Sequence, residues 1–267
     1  MKLGRMGRAA VIVAVLCPVF RLAASTGSDA ASAPNATVEL TVSAAISLKD
    51  ALDEVRQVYM ASHPDVSLAM NYGASGTLEL QIEQGAPVDV FLPAAAQQMD
   101  ALMAKGLLLG GTKRDLLRNE IVLIAPRGPT DVNNFQDLLK PAVKHVALGE
   151  PGAVPGGKYA QEVLQHFSIA KQVNAKAVLA KDVRQVLTYV ETGDADAGIV
   201  YATDALSSTK VRVVAQAPAS SHAAVIYPVA VMSDSRHAMA AEAFEEFLFG
   251  PQARGIFQKY GFERAGR

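Results

Sequence analysis

Alternating apolar and polar residues over Thr37–Ala45 predict a β-strand, and the pattern then changes to helical spacing. Between Ser47 and His63 the apolar residues recur every three or four positions, at Leu48, Ala51, Leu52, Val55 and Tyr59. Further strands are predicted in the segments DVSLAMNY, VDVFLPA, NEIVLIAPRG, KVRVVAQ and AAVIYPVAVM, with helical segments between most of them. Strands that alternate with helices predict an α/β protein with mostly parallel sheet.

Residues at the ends of the predicted helices carry boundary signals. Ser47 with Asp50 resembles a capping box, although Asp replaces the usual Glu. Asp182 with Gln185 forms a second capping pair, and Gly193 is expected to end that helix. No linker rich in Pro, Gly or Ser follows the N-terminal region, so if two domains exist the chain passes between them through strands.

Composition narrows the class of protein. The chain has 267 residues, of which 50% are hydrophobic and 19% are charged, which is typical of one large globular domain or two small ones. The formal net charge of -1 gives no global basic field, and Trp is absent. We therefore expect neither a nucleic acid nor an anionic lipid surface as a partner.

The N-terminus has the pattern of a secretory leader. Three basic residues precede an apolar run, Ala9–Phe20, and small residues follow. The alternative, a membrane anchor, is disfavoured because the run is shorter than the roughly 20 residues that span a bilayer. We expect a signal peptide at residues 1–24, with cleavage between Ala24 and Ala33. The single cysteine, Cys17, lies inside it after the large residue Leu16, which disfavours a lipoprotein; the mature chain would then hold no disulfide or thiolate site.

Ser75, in the segment NYGASGTLELQIEQG, lies where a strand gives way to a helix. It could be a nucleophile, a helix cap or a hydroxyl that holds a ligand. The segment GASGT lacks the second glycine of a G-x-S-x-G elbow, and no histidine in a distinctive setting follows as base, which argues against a hydrolase. Metal-ligand spacing is also absent, and the acidic residues Asp194, Asp196 and Asp204 are interpreted as a solvated loop. GEPGAVPGGK fails the phosphate-loop pattern because Tyr159 follows Lys158.

Four predicted helices begin at small or capping residues directly after a strand or loop. These starts are Ser47, Ser75–Thr77, Gly156–Gly157 and Asp182–Val183. The first turn of a helix leaves N–H donors unpaired and carries a partial positive charge. In an open α/β sheet such starts lie beyond the carboxyl ends of the strands, so together they would bind an anion. The pattern does not name the anion.

Five segments resemble the periplasmic molybdate-binding proteins of ABC transporters in order and spacing. They are SAAISLKDAL, NYGASGTLELQIEQGAPVDVFLPAA, GEPGAVPGGKYAQEVL, DVRQVLTYVETGDADAGIVYATDA and FLFGPQARGIFQKYGF. The resemblance covers roughly residues 37 to 263. It implies a type II periplasmic binding protein, with two α/β lobes joined by two crossing strands and a ligand cleft between them. Lobe one would comprise residues 37–118 and 227–267, and lobe two residues 119–226, with crossings near Asn119 and Tyr227.

The resemblance also implies a ligand site made of hydrogen-bond donors. Ser47 and Ser75 would each donate a hydroxyl and a backbone N–H, Gly156 and Val183 a backbone N–H, and Tyr201 its phenol. Four of these residues are the helix starts already identified, and Tyr201 ends the predicted strand AGIVY. Where the family often has Pro-Ala-Gly this chain has Pro155-Gly156-Gly157, which would keep the backbone donor and loosen the loop.

Three neighbours of these residues are not expected to contact the ligand. We interpret Asp182 as an N-cap, Arg184 as a surface or interlobe residue, and Lys158 as a solvated helix position.

The resemblance predicts an exported, monomeric binding protein that delivers molybdate, and also tungstate, to a membrane permease. It implies no catalysis, no cofactor and no direct protein ligand to metal, since molybdenum would be bound as its oxyanion. Two alternatives stay open at this point: a binding protein of the same fold for sulfate or a small organic anion, and a hydrolase that uses Ser75.

Overall fold

The computed structural model describes residues 37–266, which contain eleven strands and nine α-helices. The strands are β1 (Val38–Ala45), β2 (Val66–Gly73), β3 (Val90–Leu92), β4 (Arg114–Asn119), β5 (Ile121–Pro126), β6 (Val146–Gly149), β7 (Ala177–Ala180), β8 (Ala197–Tyr201), β9 (Val211–Gln216), β10 (Val225–Val231) and β11 (Glu263–Arg264). The helices are α1 (Lys49–Ser62), α2 (Ser75–Glu83), α3 (Ala96–Ala104), α4 (Pro155–His166), α5 (Ala170–Asn174), α6 (Val183–Thr192), α7 (Ala202–Leu206), α8 (Ala238–Phe249) and α9 (Pro251–Lys259).

The predicted leader and its cleavage region lie outside the described residues. Within residues 37–266, no helix is long and apolar enough to cross a membrane.

Two separate sheets form the two lobes. Lobe one is built on six strands in the order β11-β4-β10-β3-β1-β2, and lobe two on five strands in the order β7-β6-β8-β5-β9. The chain first crosses between β4 and β5, which are separated by the single residue Glu120, and it returns between β9 and β10. The two-lobed α/β fold with two crossings, predicted from the sequence, is confirmed.

The pairing of strands within each sheet is mixed. In lobe one, β1 pairs in parallel with β2 and β3, and in lobe two β6 pairs in parallel with β7 and β8. The strands next to the crossings pair antiparallel, namely β10 with β3 and β4, and β5 with β8 and β9. The expected parallel pairing therefore holds for the strands that lead into α1, α2, α4 and α6, while the crossing strands run against their neighbours.

The second capping signal and the apolar face that follows it form as predicted. The Asp182 carboxylate accepts from the Gln185 N–H at 2.8 Å, and α6 ends at Gly193, whose φ of +80° is the left-handed conformation that glycine adopts without strain. The four apolar residues of this helix are all buried, at Val183, Val186, Leu187 and Val190. Each contributes about 1.5–3 kcal/mol through burial, which fixes the start of α6 against the sheet.

The predicted capping box at Ser47 and Asp50 is wrong. No side chain caps α1 or the 3₁₀ turn Ile46–Leu48 that precedes it. The Ser47 hydroxyl lies 3.0 Å from the Tyr227 hydroxyl, and Asp50 accepts from Arg184 at 2.8 Å. Both side chains bond to residues far away in the sequence, so neither is free for a local cap.

Candidate anion-binding site

A small cavity lies between the lobes where several helices begin. Its volume is about 10 Å³, measured as the space open to the centre of a water-sized sphere. Four of the five predicted site residues line it, namely Ser47, Ser75, Val183 and Tyr201. The rest of its wall comes from Ala45, Ile46, Gly73, Ala74, Ala94, Val154, Pro155 and Asp182.

Gly156, the fifth predicted residue, lies directly beside this wall. A Cβ placed on it would be 2.7 Å from Val183 Cγ1 and 3.4 Å from Tyr201 Cζ. The structure therefore brings all five predicted residues together, although they come from segments as far apart as Ser47 and Tyr201. Their contact with a ligand stays a prediction.

Parallel strands deliver the helix starts to this cavity. Strand β1 ends at Ala45, just before Ile46–Leu48, and β2 ends two residues before α2 begins at Ser75. In lobe two, Gly156 is the second residue of α4, and Val183 is the first residue of α6. The N–H groups of Ser75, Gly156 and Val183 have no acceptor within their own helices, and each helix dipole makes its start partly positive.

Gly157 explains how α4 comes so close to the sheet. A Cβ on this residue would lie 2.1 Å from the carbonyl oxygen of Gly149, the last residue of β6. Only glycine allows that approach without a backbone shift. The contact sets the position of the preceding N–H of Gly156 beside Val183 and Tyr201.

The hydroxyl of Ser75 is oriented as a donor. Its oxygen accepts the backbone N–H of Ala94 at 2.9 Å, and Ser75 is only 1% exposed. A backbone N–H can only donate, so this contact occupies a lone pair and leaves the hydroxyl proton available. Because Ser75 lines the cavity, that proton can serve a ligand there.

The phenol of Tyr201 is buried beside the same cavity with no hydrogen-bond partner. Tyr201 is 1% exposed, and its hydroxyl has no acceptor or donor among the described residues. Burial, reinforced by the nearby Tyr227, raises the pKa of Tyr201 well above its usual value, so the phenol keeps its proton. An unpaired buried hydroxyl costs roughly 1–3 kcal/mol, and a bound acceptor would remove that penalty.

A cluster of ionised side chains, which we call the ion cluster, lies next to the cavity. It consists of Arg184, Asp50 and Asp204. Arg184 Nε lies 2.8 Å from the fully buried Asp204, as an ion pair without aligned hydrogen-bond geometry. Another guanidinium nitrogen donates to Asp50 of lobe one at 2.8 Å, and a third donates to Ser207. Arg184 is therefore an interlobe residue, one of the two readings that the sequence left open.

The interpretation of Asp204 as part of a solvated acidic loop is wrong. It lies in α7, three residues after Tyr201, and it is 0% exposed. Burial raises the pKa of Asp204 to about 6, although the Arg184 guanidinium acts to lower it. A helical position directly after a buried strand is the sequence signal that could have placed this carboxylate inside the protein.

The lobes also meet through the backbone. The N–H of Gly76, in the first turn of α2, donates to the carbonyl oxygen of Ala153 at 2.9 Å. The contact between Arg184 and Asp50 is a second bond that joins lobe one to lobe two. The arrangement is that of two lobes closed over a small space.

The alternative of a hydrolase that uses Ser75 gains no support from the site. Among the described residues that line the cavity there is no histidine, and the Ser75 hydroxyl contacts a backbone N–H, which cannot take its proton. No group of three or more His, Cys, Asp or Glu side chains capable of holding a metal ion occurs in residues 37–266.

The chain is similar to known proteins over nearly all of its described length. The family model described as bacterial extracellular solute-binding protein matches residues 40–263. The chain belongs to this family. This match, with the molybdate-binding relatives described below, confirms the resemblance predicted from five sequence segments. Because members of this family bind solutes, the chain is a binding protein and not an enzyme.

Relatives within the family extend over most of the chain. The molybdate-binding protein ModA of Escherichia coli K12 is 37% identical over 84% of this chain and 88% of its own length. YvgL of Bacillus subtilis 168, whose name describes an ABC transporter substrate-binding lipoprotein, is 40% identical over 94% of this chain and 96% of its own length. A solved structure from Clostridium difficile, named as the substrate-binding domain of a molybdenum ABC transporter, is 41% identical, with a TM-score of 0.68, and covers 86% of this chain and 100% of its own.

Proposed function

We propose that this chain is the exported solute-binding subunit of an ABC importer, that it captures molybdate and also tungstate in the cavity, and that it delivers the ion to a membrane permease. The relatives that carry a molybdate-binding or molybdenum-transport name support this ligand. No cofactor is needed, and no side chain is a direct ligand of the metal, because molybdenum is bound as its oxyanion.

The observation that carries the proposal is the supply of unused hydroxyl protons at one small cavity. The Ser75 oxygen is occupied by an N–H, and the phenol of Tyr201 is unpartnered. Ser47 also lines the cavity and adds a third hydroxyl. In our proposal the three hydroxyls donate to the oxygens of the anion, together with the backbone N–H groups of Ser47, Ser75, Gly156 and Val183.

A site made of donors selects the protonation state of its ligand. Molybdate and tungstate are dianions at neutral pH and accept hydrogen bonds at every oxygen. A singly protonated phosphate carries an O–H that needs an acceptor, and a mismatch in a buried site costs roughly 1–3 kcal/mol. Sulfate has the same charge and shape but shorter bonds, so it would leave longer gaps to the donors. We propose that size excludes sulfate, and that lobe closure removes water and strengthens each bond.

The remaining proposals concern the chain around the site. Residues 37–118 and 227–267 form lobe one and residues 119–226 form lobe two; β10 already pairs with β4 from Val225, two residues before the proposed boundary. The protein acts as a monomer in the periplasm after removal of a signal peptide at residues 1–24. The extracellular family supports export of the chain.

A ligand screen with matched variants tests the function. The mature chain is unfolded by heat with molybdate, tungstate, sulfate or phosphate, each at the same concentration. A ligand at 1,000 times its Kd stabilises the folded state by about 4 kcal/mol, so molybdate and tungstate should raise the Tm by several degrees and sulfate should not. Ser75→Ala should weaken molybdate binding by roughly 1.5–3 kcal/mol, since its hydroxyl contacts a charged group.

Ser43→Ala is the matched control for Ser75→Ala. Ser43 is equally buried, at 1% exposure, but it does not line the cavity, so its loss should leave the affinity unchanged. The absence of a shift with molybdate, or an equal shift with sulfate, would contradict the proposed ligand. An unchanged affinity in Ser75→Ala would remove Ser75 from the site.

A further inference from the structure

A chain of hydrogen bonds runs from the crossing strands to the Ser47 hydroxyl. Asn119, the last residue of β4, donates through Nδ2 to the Tyr227 hydroxyl oxygen at 3.2 Å. Tyr227 lies in β10, the strand that follows the return crossing, and it is fully buried. Its hydroxyl lies 3.0 Å from the Ser47 oxygen, 180 residues away in the sequence. Neither Asn119 nor Tyr227 lines the cavity.

The orientation of the Asn119 amide is fixed by its other contacts. Its oxygen accepts the backbone N–H of Glu120 at 2.9 Å, so the NH₂ group faces the opposite way. That group donates to Thr203 at 2.8 Å as well as to Tyr227. Since an amide NH₂ can only donate, the Tyr227 oxygen must be the acceptor in this contact.

The proton of the Tyr227 hydroxyl determines which group donates in the hydrogen bond between Tyr227 and Ser47. In the part of the chain that the structure describes, the Tyr227 hydroxyl has two partners, Asn119 and Ser47. Because the bond from Asn119 uses a lone pair, the phenol proton has Ser47 as its acceptor. If Ser47 donated instead, the phenol would bury its proton unpaired, at a cost of roughly 1–3 kcal/mol. The Ser47 proton therefore points away from Tyr227, and Ser47 lines the cavity.

We propose that Tyr227, oriented by Asn119, is a positioning residue that holds the Ser47 hydroxyl as a donor toward the bound anion. The proposal rests on the proposed function, since it concerns the same cavity. It adds a role for two residues outside the cavity wall. Because Asn119 and Tyr227 belong to the strands at the crossings, the direction of one cavity donor is set at the junction between the lobes.

A double-mutant cycle tests this role by titration calorimetry with molybdate. Tyr227→Phe removes the donor and keeps the ring, so Ser47 loses its fixed direction, and we expect roughly 2- to 10-fold weaker binding. In a Ser47→Ala background the same change should have no effect, because there is no hydroxyl left to orient. A structural effect of Tyr227→Phe on the lobes would instead persist in that background. Tyr59→Phe, which alters another buried tyrosine away from the cavity, is the matched control.

Asn119→Asp provides a second variant of the same size. A carboxylate would attract the Tyr227 proton, so Ser47 would have to donate to Tyr227 and turn a lone pair toward the anion. We expect a larger loss of molybdate affinity than in Tyr227→Phe. The part of this loss that acts through Ser47 should disappear in the Ser47→Ala background. The part caused by repulsion between the added charge and the anion should remain.

The outcomes separate this inference from the proposed function. If the unmodified protein binds molybdate and Tyr227→Phe loses affinity only when Ser47 is present, the inference is supported. If the protein binds molybdate but Tyr227→Phe leaves the affinity unchanged, or lowers it equally in the Ser47→Ala background, the inference fails and the proposed function stands. If the protein binds none of molybdate, tungstate and sulfate, both fail.

Discussion

In the cavity, Tyr201 buries a phenol that has no partner, whereas in the ion cluster Arg184, the residue after Val183, is held by two carboxylates. The cavity contains neutral donors at helix starts, and the one carboxylate in its wall, Asp182, accepts from the Gln185 N–H. The ion cluster contains one cation against Asp50 and Asp204, so its positive charge is already neutralised. The arginine that follows Val183 is therefore engaged by two carboxylates, while the unpaired phenol of Tyr201 lies beside the cavity, where a ligand can reach it.

Because of this difference, the ion cluster should affect the stability of the fold, and the cavity should affect ligand binding. A buried ion pair resists the loss of either partner, because the other is left charged and unpaired. An unsatisfied donor makes the opposite contribution, since it costs free energy until a ligand arrives. We expect substitutions in the ion cluster to lower the free energy of unfolding, and removal of the unpaired Tyr201 hydroxyl to lower ligand affinity with little loss of stability.

The largest effect should come from Arg184→Met. It leaves the carboxylate of Asp204 buried without its counterion, which should lower the free energy of unfolding of the ligand-free protein by about 3–5 kcal/mol. Urea unfolding measures this change. Lys49→Met, which breaks an exposed ion pair with Asp53, is the control and should cost less than about 1 kcal/mol. Equal losses of unfolding free energy in the two variants would show that the ion cluster stabilises the fold no more than an exposed ion pair does.

Tyr201→Phe tests the other side of the comparison. Molybdate affinity should fall by about 1.5–3 kcal/mol, or roughly 10- to 150-fold, because a hydrogen bond to a charged ligand is lost. The ligand-free protein should be as stable as before or more stable, since an unpaired buried hydroxyl has been removed. Calorimetry and urea unfolding provide the two values. Tyr159→Phe, whose ring lies 6.5 Å from Tyr201 but outside the cavity wall, is the control.

The residues of the cavity could be predicted from the sequence, whereas the contacts of the ion cluster could not. Changes of hydrophobic period locate the ends of strands and the starts of helices, and so they pointed to Ser47, Ser75, Gly156 and Val183. In this fold such ends converge, and the structure brings these residues together with Tyr201. The identity of the anion did not follow from periodicity and required the resemblance.

The contacts that periodicity missed join distant segments. Arg184 meets Asp50 across 134 residues, and Ser47 meets Tyr227 across 180. These pairs depend on how the chain returns between the lobes, which a local pattern does not report. The same limit explains why the predicted capping box at Ser47 was wrong: the local motif was present, but a long-range partner took the hydroxyl.

Gly156→Ala should have a smaller effect, confined to the cavity. The added methyl would meet Val183 Cγ1 at 2.7 Å, and Val183 forms part of the cavity wall. Since a β-branched side chain has few alternative rotamers, we expect a loss of about 1 kcal/mol in molybdate affinity. Gly255→Ala in α9 is the control, because no atom lies within 4 Å of the added methyl and helix propensity favours alanine. Unchanged molybdate affinity in Gly156→Ala would mean that Val183 moves aside without a loss of binding free energy.

The smallest expected effect is that of pH on affinity, and it distinguishes neutral donors from charged ones. Between pH 7 and pH 9 the Kd for molybdate should change less than about twofold, because burial raises the pKa of both Tyr201 and Tyr227 well above its usual value. Each phenol thus keeps its proton throughout this range. A steep loss of affinity toward pH 9 would show that a titrating cation contributes to the site, which would break the comparison.

The ion cluster should respond to pH in a different range. Burial raises the pKa of Asp204 to about 6, above its unfolded value near 4, so the folded state holds this proton more tightly than the unfolded state. The contribution of Asp204 to the free energy of unfolding therefore falls as pH rises from about 4 to 6 and is constant above. Asp204→Asn should lack this slope in urea unfolding of the ligand-free protein, while the affinity between pH 7 and pH 9 stays flat in both proteins. A flat affinity together with a slope below pH 6 that depends on Asp204 would locate titration in the ion cluster and leave the cavity to its neutral donors.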